Sequence, residues 1–323
     1  MIGASVVGAT RQAERHGTSV GTGGAMRIYT NLTVEKKQAV WAWVFLAIPI
    51  VFFGLIRFYP AFESFGIAFT RWNLLSPPEF VGLDNFRQMV QDPVFWQTLK
   101  NTFLYLILGT PISLLLAFVI AYYLDQVRFG HGLIRALYFM PHLTTTVAMA
   151  WVWRWFYQPM PVGLFNNMLA SVGFDVQPFL RSTSQALPAV LAPAIWAGLG
   201  FQVVLFLAGL RAIPSSYYEA ARIDGAGRWM ILREITLPLL RPTIVFLLVI
   251  SSIGFLRIFD HVYNMTDNGA GGPLNSTRPL VLNIYDTAFR SFQMGYAAAQ
   301  TLVLFIILLV ISLLQLRLMR GRP

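Results

Sequence analysis

Residues 215–242 read Ser-Ser-Tyr-Tyr-Glu-Ala-Ala-Arg-Ile-Asp-Gly-Ala-Gly-Arg-Trp-Met-Ile-Leu-Arg-Glu-Ile-Thr-Leu-Pro-Leu-Leu-Arg-Pro. This charged, patterned stretch lies between two long apolar runs. Ser216 and Glu219 stand at the Ser-x-x-Glu spacing of a capping box, which satisfies orphan amides at a helix start. Gly225 or Gly227 supplies a left-handed stop. The spacing predicts a helix over 217–224. Trp229, Leu232 and Ile235 then recur at intervals of three, a second helical pattern. Pro238 ends or kinks it, and Pro242 can open the next helix. The stretch reads as two short helices joined by a glycine turn rather than as a loose linker.

Outward from this elbow the chain turns apolar. Of its 323 residues 56% are hydrophobic and 12% charged, against about 25% charged in a soluble domain. Six apolar runs, at about 39–59, 102–124, 133–156, 186–209, 243–263 and 297–317, each approach the roughly 20 residues that cross about 30 Å of hydrocarbon. The fold class is therefore all-α, a membrane protein with six transmembrane helices. Pro49, Pro111, Pro141, Pro188 and Pro193 fall inside the runs. Such breakers are tolerated where neighbouring helices take up the freed carbonyls, so the runs are expected to pack on one another. The membrane domain spans 39–323. Residues 1–38 are polar and read as a mobile cytoplasmic tail. No apolar run follows Met1 as a secretory signal would require, and Met26 is an alternative start.

The net charge is +10, but the basic residues are spread over loops and build no nucleic-acid face. With the N-terminus inside, fifteen of the 24 Lys and Arg fall on cytoplasmic segments. The positive-inside rule then places both termini, and the elbow, in the cytoplasm. The absence of cysteine excludes a disulfide framework, thiol catalysis and a cysteine zinc site. The four histidines show no metal-ligating spacing, and no nucleophile elbow occurs. No phosphate-cradling Gly-x-x-x-x-Gly-Lys-Ser/Thr loop is present, so any ATP that drives this protein is hydrolysed on another chain. No catalysis is assigned to this chain.

Glu219-Ala220-Ala221, Asp224-Gly225-Ala226 and Ile235-Thr236-Leu237-Pro238 resemble, in residues and spacing, the "EAA" loop of ABC-importer permeases. Leu232 departs from the aromatic residue common nearby in the family but keeps an apolar contact. Outer segments resemble the carbohydrate branch of these binding-protein-dependent inner-membrane components. They include Phe80-Val81-Gly82-Leu83-Asp84-Asn85-Phe86, Asp92-Pro93-Val94-Phe95-Trp96, Phe259-Asp260, Gly269-Ala270-Gly271-Gly272-Pro273 and Gly295-Tyr296-Ala297-Ala298-Ala299. The resemblance runs from about residue 40 to 317. It implies a type I importer permease in a bacterial or archaeal cytoplasmic membrane. It implies a second, related permease as heterodimer partner, two ATPase subunits carrying Mg-ATP, an external solute-binding protein and a carbohydrate substrate. In the family the loop docks on the ATPase, which assigns coupling to Tyr218, Glu219, Ala220, Ala221, Asp224, Gly225, Ala226 and Pro238. The plainer reading, a surface helical hairpin that caps itself, is compatible with docking. A secondary transporter or channel subunit driven by no ATPase is the alternative. It would want proton-relay carboxylates in several spans, and only Asp260 is clear.

Polar residues within spans are costly and so informative. Arg154, with Trp151, Trp153 and Trp155, reads either as an outer-interface aromatic belt with a snorkelling arginine or as a sugar-stacking platform. Arg257 and Asp260 read either as a self-neutralising i,i+3 pair or as the polar lining of a pathway. His142, after Pro141, and Gln202 lie deep in their runs, where each can bond a neighbouring helix or a polyol hydroxyl. His142, Trp151, Arg154, Gln202, Arg257 and Asp260 are the candidate pathway residues.

Overall fold

The structure, a computed structural model, describes residues 33–127 and 131–320. Most of the predicted tail, and Arg11, Arg15, Arg27, Arg128 and Arg322 of the orientation count, lie outside these residues. The chain divides into two compact units, with the boundary between Phe62 and Glu63.

Among the described residues, four helices are long and apolar enough to cross a membrane: α1 (Val34–Ile67) and, introduced below in chain order, the helices carrying the second, fourth and sixth runs. Helix α1 starts five residues before the predicted span and extends beyond it, and its apolar core has no buried residue. It is followed by a two-residue hairpin, β1 (Thr70–Arg71) pairing antiparallel with β2 (Glu79–Phe80). Helices α2 (Asp84–Gln91) and α3 (Pro93–Gln126) come next. The third run is two helices, α4 (His131–Leu143) and α5 (Thr146–Phe156), rather than the single span expected. The cause is local. Pro141 cannot donate to the turn before it, and three stiff β-branched threonines, Thr144 to Thr146, follow. Thr145 is extended, with ψ 137°. Helix α6 (Leu164–Ser171) then leads to α7 (Ala186–Arg211), the central helix.

The elbow forms α8 (Ser215–Ile223) and α9 (Arg228–Leu239). After a 66° bend comes α10 (Arg241–Leu256). Pro238 does not stop α9, which runs on to Leu239; the bend falls at Leu240, and Pro242 stands in the first turn of α10 as expected. The fifth run ends at Leu256, short of the predicted 263, and a short α11 (Asp260–Met265) follows a break. Helices α12 (Leu280–Phe289) and α13 (Met294–Arg320) complete the chain.

Three wide π-helical turns share one cause. They span Gly54–Phe58, Tyr105–Gly109 and Leu232–Thr236. In each case a proline, Pro60, Pro111 or Pro238, stands two residues further on. A proline offers no N–H and its ring presses on the carbonyl four residues back, here Ile56, Ile107 or Glu234 in mid-turn. One extra residue in the turn relieves both constraints.

Within the second unit, α3 and α7 share the main seam, where Ala117 and Ala121 meet Phe206, Leu207 and Leu210, with Leu240 and Leu247 closing it. Small residues set the approach of helices. A Cβ on Gly200 would come within 2.8 Å of the Tyr138 carbonyl of α4, and one on Gly209 within 2.7 Å of Thr243 Oγ1. At the end opposite the elbow, polar ties replace leucines. Asn101 Nδ2 donates to the carbonyls of Asn275 (2.7 Å) and Arg278 (2.9 Å), and the Tyr105 hydroxyl donates to the Thr277 carbonyl. Arg278 pairs with Asp286 at 2.7 Å. Burial holds its guanidinium below the ordinary arginine pKa, and the Asp286 carboxylate pulls it partly back. The glycines of 269–273 serve this packing: Gly271 has φ +80°, and a Cβ on it would meet Cβ of Arg278 at 2.4 Å.

Candidate functional site

The elbow departs from its predicted start and agrees at its stop. The capping box is not made: Pro214 occupies the N-cap, no side chain caps α8, and the helix begins at Ser215 instead of Tyr217. A proline at that place already fixes the entry of the chain. The stop is a Schellman motif. Gly225, at φ +78°, donates its N–H to Arg222 O (3.1 Å), and Ala226 N–H donates to Ala221 O (2.9 Å). Gly227 is not left-handed. Ala221 is buried, and the Tyr218 hydroxyl lies 3.5 Å from Thr236 Oγ1, which fixes α8 against α9. Ile213 and Leu240 anchor both ends of the elbow in the α3–α7 seam.

What the elbow presents outward is unusual for a loop. Ile223 is 85% and Trp229 72% exposed, and Tyr217 and Met230 are exposed beside them. Glu219, Ala220, Asp224 and Pro238 are exposed too. An apolar ridge carrying carboxylates and arginines on a rigid two-helix frame is the chemistry of a docking surface.

The second feature is a cavity of about 300 Å³ between α7, α10 and the two helix breaks. His142 and Thr146 reach it from either side of the α4–α5 break. Gln202 lines it from α7, and Ser251 from α10. Arg257, Asp260 and His261 line it from the α10–α11 break. Irregular backbone at membrane depth is tolerated where it lines a cavity, and both breaks do so.

Gln202 is 6% exposed. Its amide nitrogen donates to Ser251 Oγ (3.0 Å) and Ser113 Oγ (3.4 Å), joining α7 to α10 and α3. Its Oε1 is buried with no partner among the described residues, as is Nε2 of His261. His142 Nδ1 lies 3.3 Å from Ala197 O, and its ring stacks on Phe201 at 5.7 Å. Both helix–helix bonding and a cavity-facing position therefore hold for His142 and Gln202.

Four of the six candidate pathway residues, His142, Gln202, Arg257 and Asp260, meet at this cavity. Arg257 and Asp260 form no ion pair with each other, because the helix ends at Leu256 and the i,i+3 register is lost. Trp151 and Arg154 lie elsewhere. Arg154 pairs with Asp267, reaches Asn264 O and lies 5.0 Å over the Trp151 ring, so it ties α5 to the segment after α11. Sequence reading overlooked Ser113, Thr146, Ser251 and His261. A Ser251-Ser252 pair inside an apolar run and a histidine beside Asp260 were the available signals.

Comparison with known proteins adds the family. The family described as "Binding-protein-dependent transport system inner membrane component" matches residues 96–321. The probable ABC transporter permease protein YesP of Bacillus subtilis (strain 168) is 36% identical over 282 residues, covering 86% of this chain and 90% of that protein. The lactose transport system permease protein LacF of Rhizobium radiobacter is 33% identical over 295 residues, covering 90% and 97%. Among solved structures, a chain of a bacterial alginate ABC transporter in complex with an alginate pentasaccharide-bound periplasmic protein superposes with a TM-score of 0.74 at 26% identity, covering 88% of this chain and 96% of that one.

Proposed function

Since this chain belongs to the binding-protein-dependent transport system inner membrane component family, and is thereby a permease subunit of an ABC importer rather than an enzyme or an ATPase-independent channel, we propose how it works and what it carries. The substrate is a sugar or sugar-like solute delivered by an external solute-binding protein. Relatives such as the lactose permease subunit support this class, as does the chemistry of the cavity. Its orphan acceptor on Gln202 and the groups of His142, Ser251 and His261 offer hydrogen bonds to hydroxyls, and Phe201 and Phe255 offer apolar faces. Arg257 and Asp260 add a charged lining at the α10–α11 break. Arg154 and Trp151 are assigned to holding α5 in place.

The observation that carries the reading is the elbow: a rigid frame with an exposed apolar ridge, anchored directly in the seam of the central helices. One of two ATPase subunits, which hold the Mg-ATP, grips it through Tyr218 to Ala221, Asp224 to Ala226 and the turn at Pro238. Their closure is transmitted through Ile213 and Leu240 to α7 and α10, whose facing surfaces form the cavity. The elbow and both termini lie in the cytoplasm. A second, related permease completes the pathway from the other side.

The test is ATP hydrolysis by the complex reconstituted in proteoliposomes with its binding protein, across a panel of mono- and oligosaccharides. At least one saccharide should stimulate hydrolysis and accumulate inside. Stimulation by amino acids or inorganic ions and by no saccharide would refute the substrate class. Wild-type ATPase association after replacement of Glu219 and Ala221 would refute the docking role.

A further inference from the structure

A second concavity, of about 540 Å³, lies apart from the pathway cavity and shares none of its lining residues. Its wall from α3 carries Gln97, Lys100, Leu104 and Leu108. Its wall from α7 and the segment before it carries Thr183, Ser184, Leu187 and Pro188. Both walls change character in the same direction. Each is polar where its helix enters the membrane and apolar further in. From Lys100 to Leu108 the change takes eight residues, about 12 Å at 1.5 Å per residue.

The charge is one-sided. No carboxylate lines the groove. Lys100 is exposed and makes no ion pair or hydrogen bond with the described residues. Ser276 stands on the third wall. A sugar or a soluble anion would leave the leucine end unfilled, and a purely apolar partner would leave Lys100, Thr183 and Ser184 unmatched. An amphiphile with an anionic head and hydrocarbon tail matches both ends, and the bilayer in which α3 and α7 are embedded supplies one at the required depth.

We propose that this groove is a binding site for an anionic phospholipid in the leaflet opposite the elbow. Its phosphate meets Lys100 and the hydroxyls of Thr183 and Ser184, and its acyl chains lie along Leu104, Leu108 and Pro188. The lipid packs α3 against the entry of α7, at the level where Asn101 holds the segment that precedes α12.

The test uses the full chain with its partner subunits, purified in detergent and exchanged into nanodiscs of phosphatidylcholine with or without phosphatidylglycerol. Native mass spectrometry reads retained lipid and a thermal melt reads stability. Phosphatidylglycerol should be retained and should raise the melting temperature; phosphatidylcholine and inorganic phosphate should not. Lys100→Gln should lower phosphatidylglycerol retention roughly fivefold, that ratio corresponding to about 1 kcal/mol of lysine attraction, and Lys100→Arg should restore it. A photocrosslinker at Leu108 should capture lipid. Equal retention by wild type and Lys100→Gln, equal stabilisation by inorganic phosphate, or crosslinking of Leu108 to a polypeptide would each overturn the proposal. Sugar-stimulated hydrolysis should persist in Lys100→Gln, so failure here is distinct from failure of the transport reading.

Discussion

Replacing Gly225 tests the elbow directly. Its φ of +78° lies in the left-handed region, and no heavy atom stands within 4 Å of where a Cβ would be. Gly225→Ala therefore adds no clash and costs only the left-handed backbone penalty, about 1–2 kcal/mol. Gly225→Pro forces φ to about −65°. It also removes the N–H that bonds Arg222 O and breaks the geometry that brings Ala226 N to Ala221 O. With each bond worth about 0.5–1.5 kcal/mol, the proline variant cannot keep the motif. If α8 must be held in this form to meet the ATPase, Gly225→Ala should weaken coupling by about 5- to 30-fold, and Gly225→Pro should abolish it. Uptake and sugar-stimulated hydrolysis in proteoliposomes measure coupling; membrane extraction and co-purification of the ATPase measure insertion and assembly. Normal uptake by Gly225→Pro, or equal defects in the two variants at wild-type membrane levels, would refute the claim that backbone conformation governs coupling here.

Other substitutions separate pathway from scaffold. Gln202→Leu removes the orphan acceptor, so the sugar concentration for half-maximal hydrolysis should rise about 2- to 12-fold, the value of one hydrogen bond, while loss of the bonds to Ser251 and Ser113 lowers the melting temperature; an unchanged sugar requirement would count against a substrate contact. Arg154→Ala should change transport little. Its partner Asp267 is 82% exposed, so a double-mutant cycle with Asp267→Ala should give at most about 1 kcal/mol, falling with salt. Asp286→Asn leaves the half-buried Arg278 without its counter-charge and should destabilise by about 1.5–3 kcal/mol, the value of a hydrogen bond to a charged group, seen as a lowered melting temperature.

The stop of the elbow was legible because Gly225 has one physical job that no other residue does as cheaply. Its start was not: the Ser216–Glu219 spacing is a sound capping signal, but Pro214 already set the entry. Hydropathy located all six apolar runs because transfer energy depends on composition. It is blind to continuity, so the breaks at Thr144–Thr145 and after Leu256, which open the cavity, were missed. Pro141 reads in sequence as a breaker absorbed by packing, whereas it prepares an interruption three residues on. The Arg257–Asp260 spacing suggested a pair only under the assumption of an unbroken helix. The partner of Arg154, Asp267, lies 113 residues away, beyond any local pattern.

The three prolines with their wide turns carry one more consequence. Each surplus residue advances the azimuth of everything beyond it by about 100°, the angle of one residue in an α-helix. A helical wheel drawn straight through residues 54–58, 105–109 or 232–236 thus assigns the wrong stripe to every position past the insertion. Cysteine scanning of this chain needs two wheels per such helix, one on each side of the phase slip.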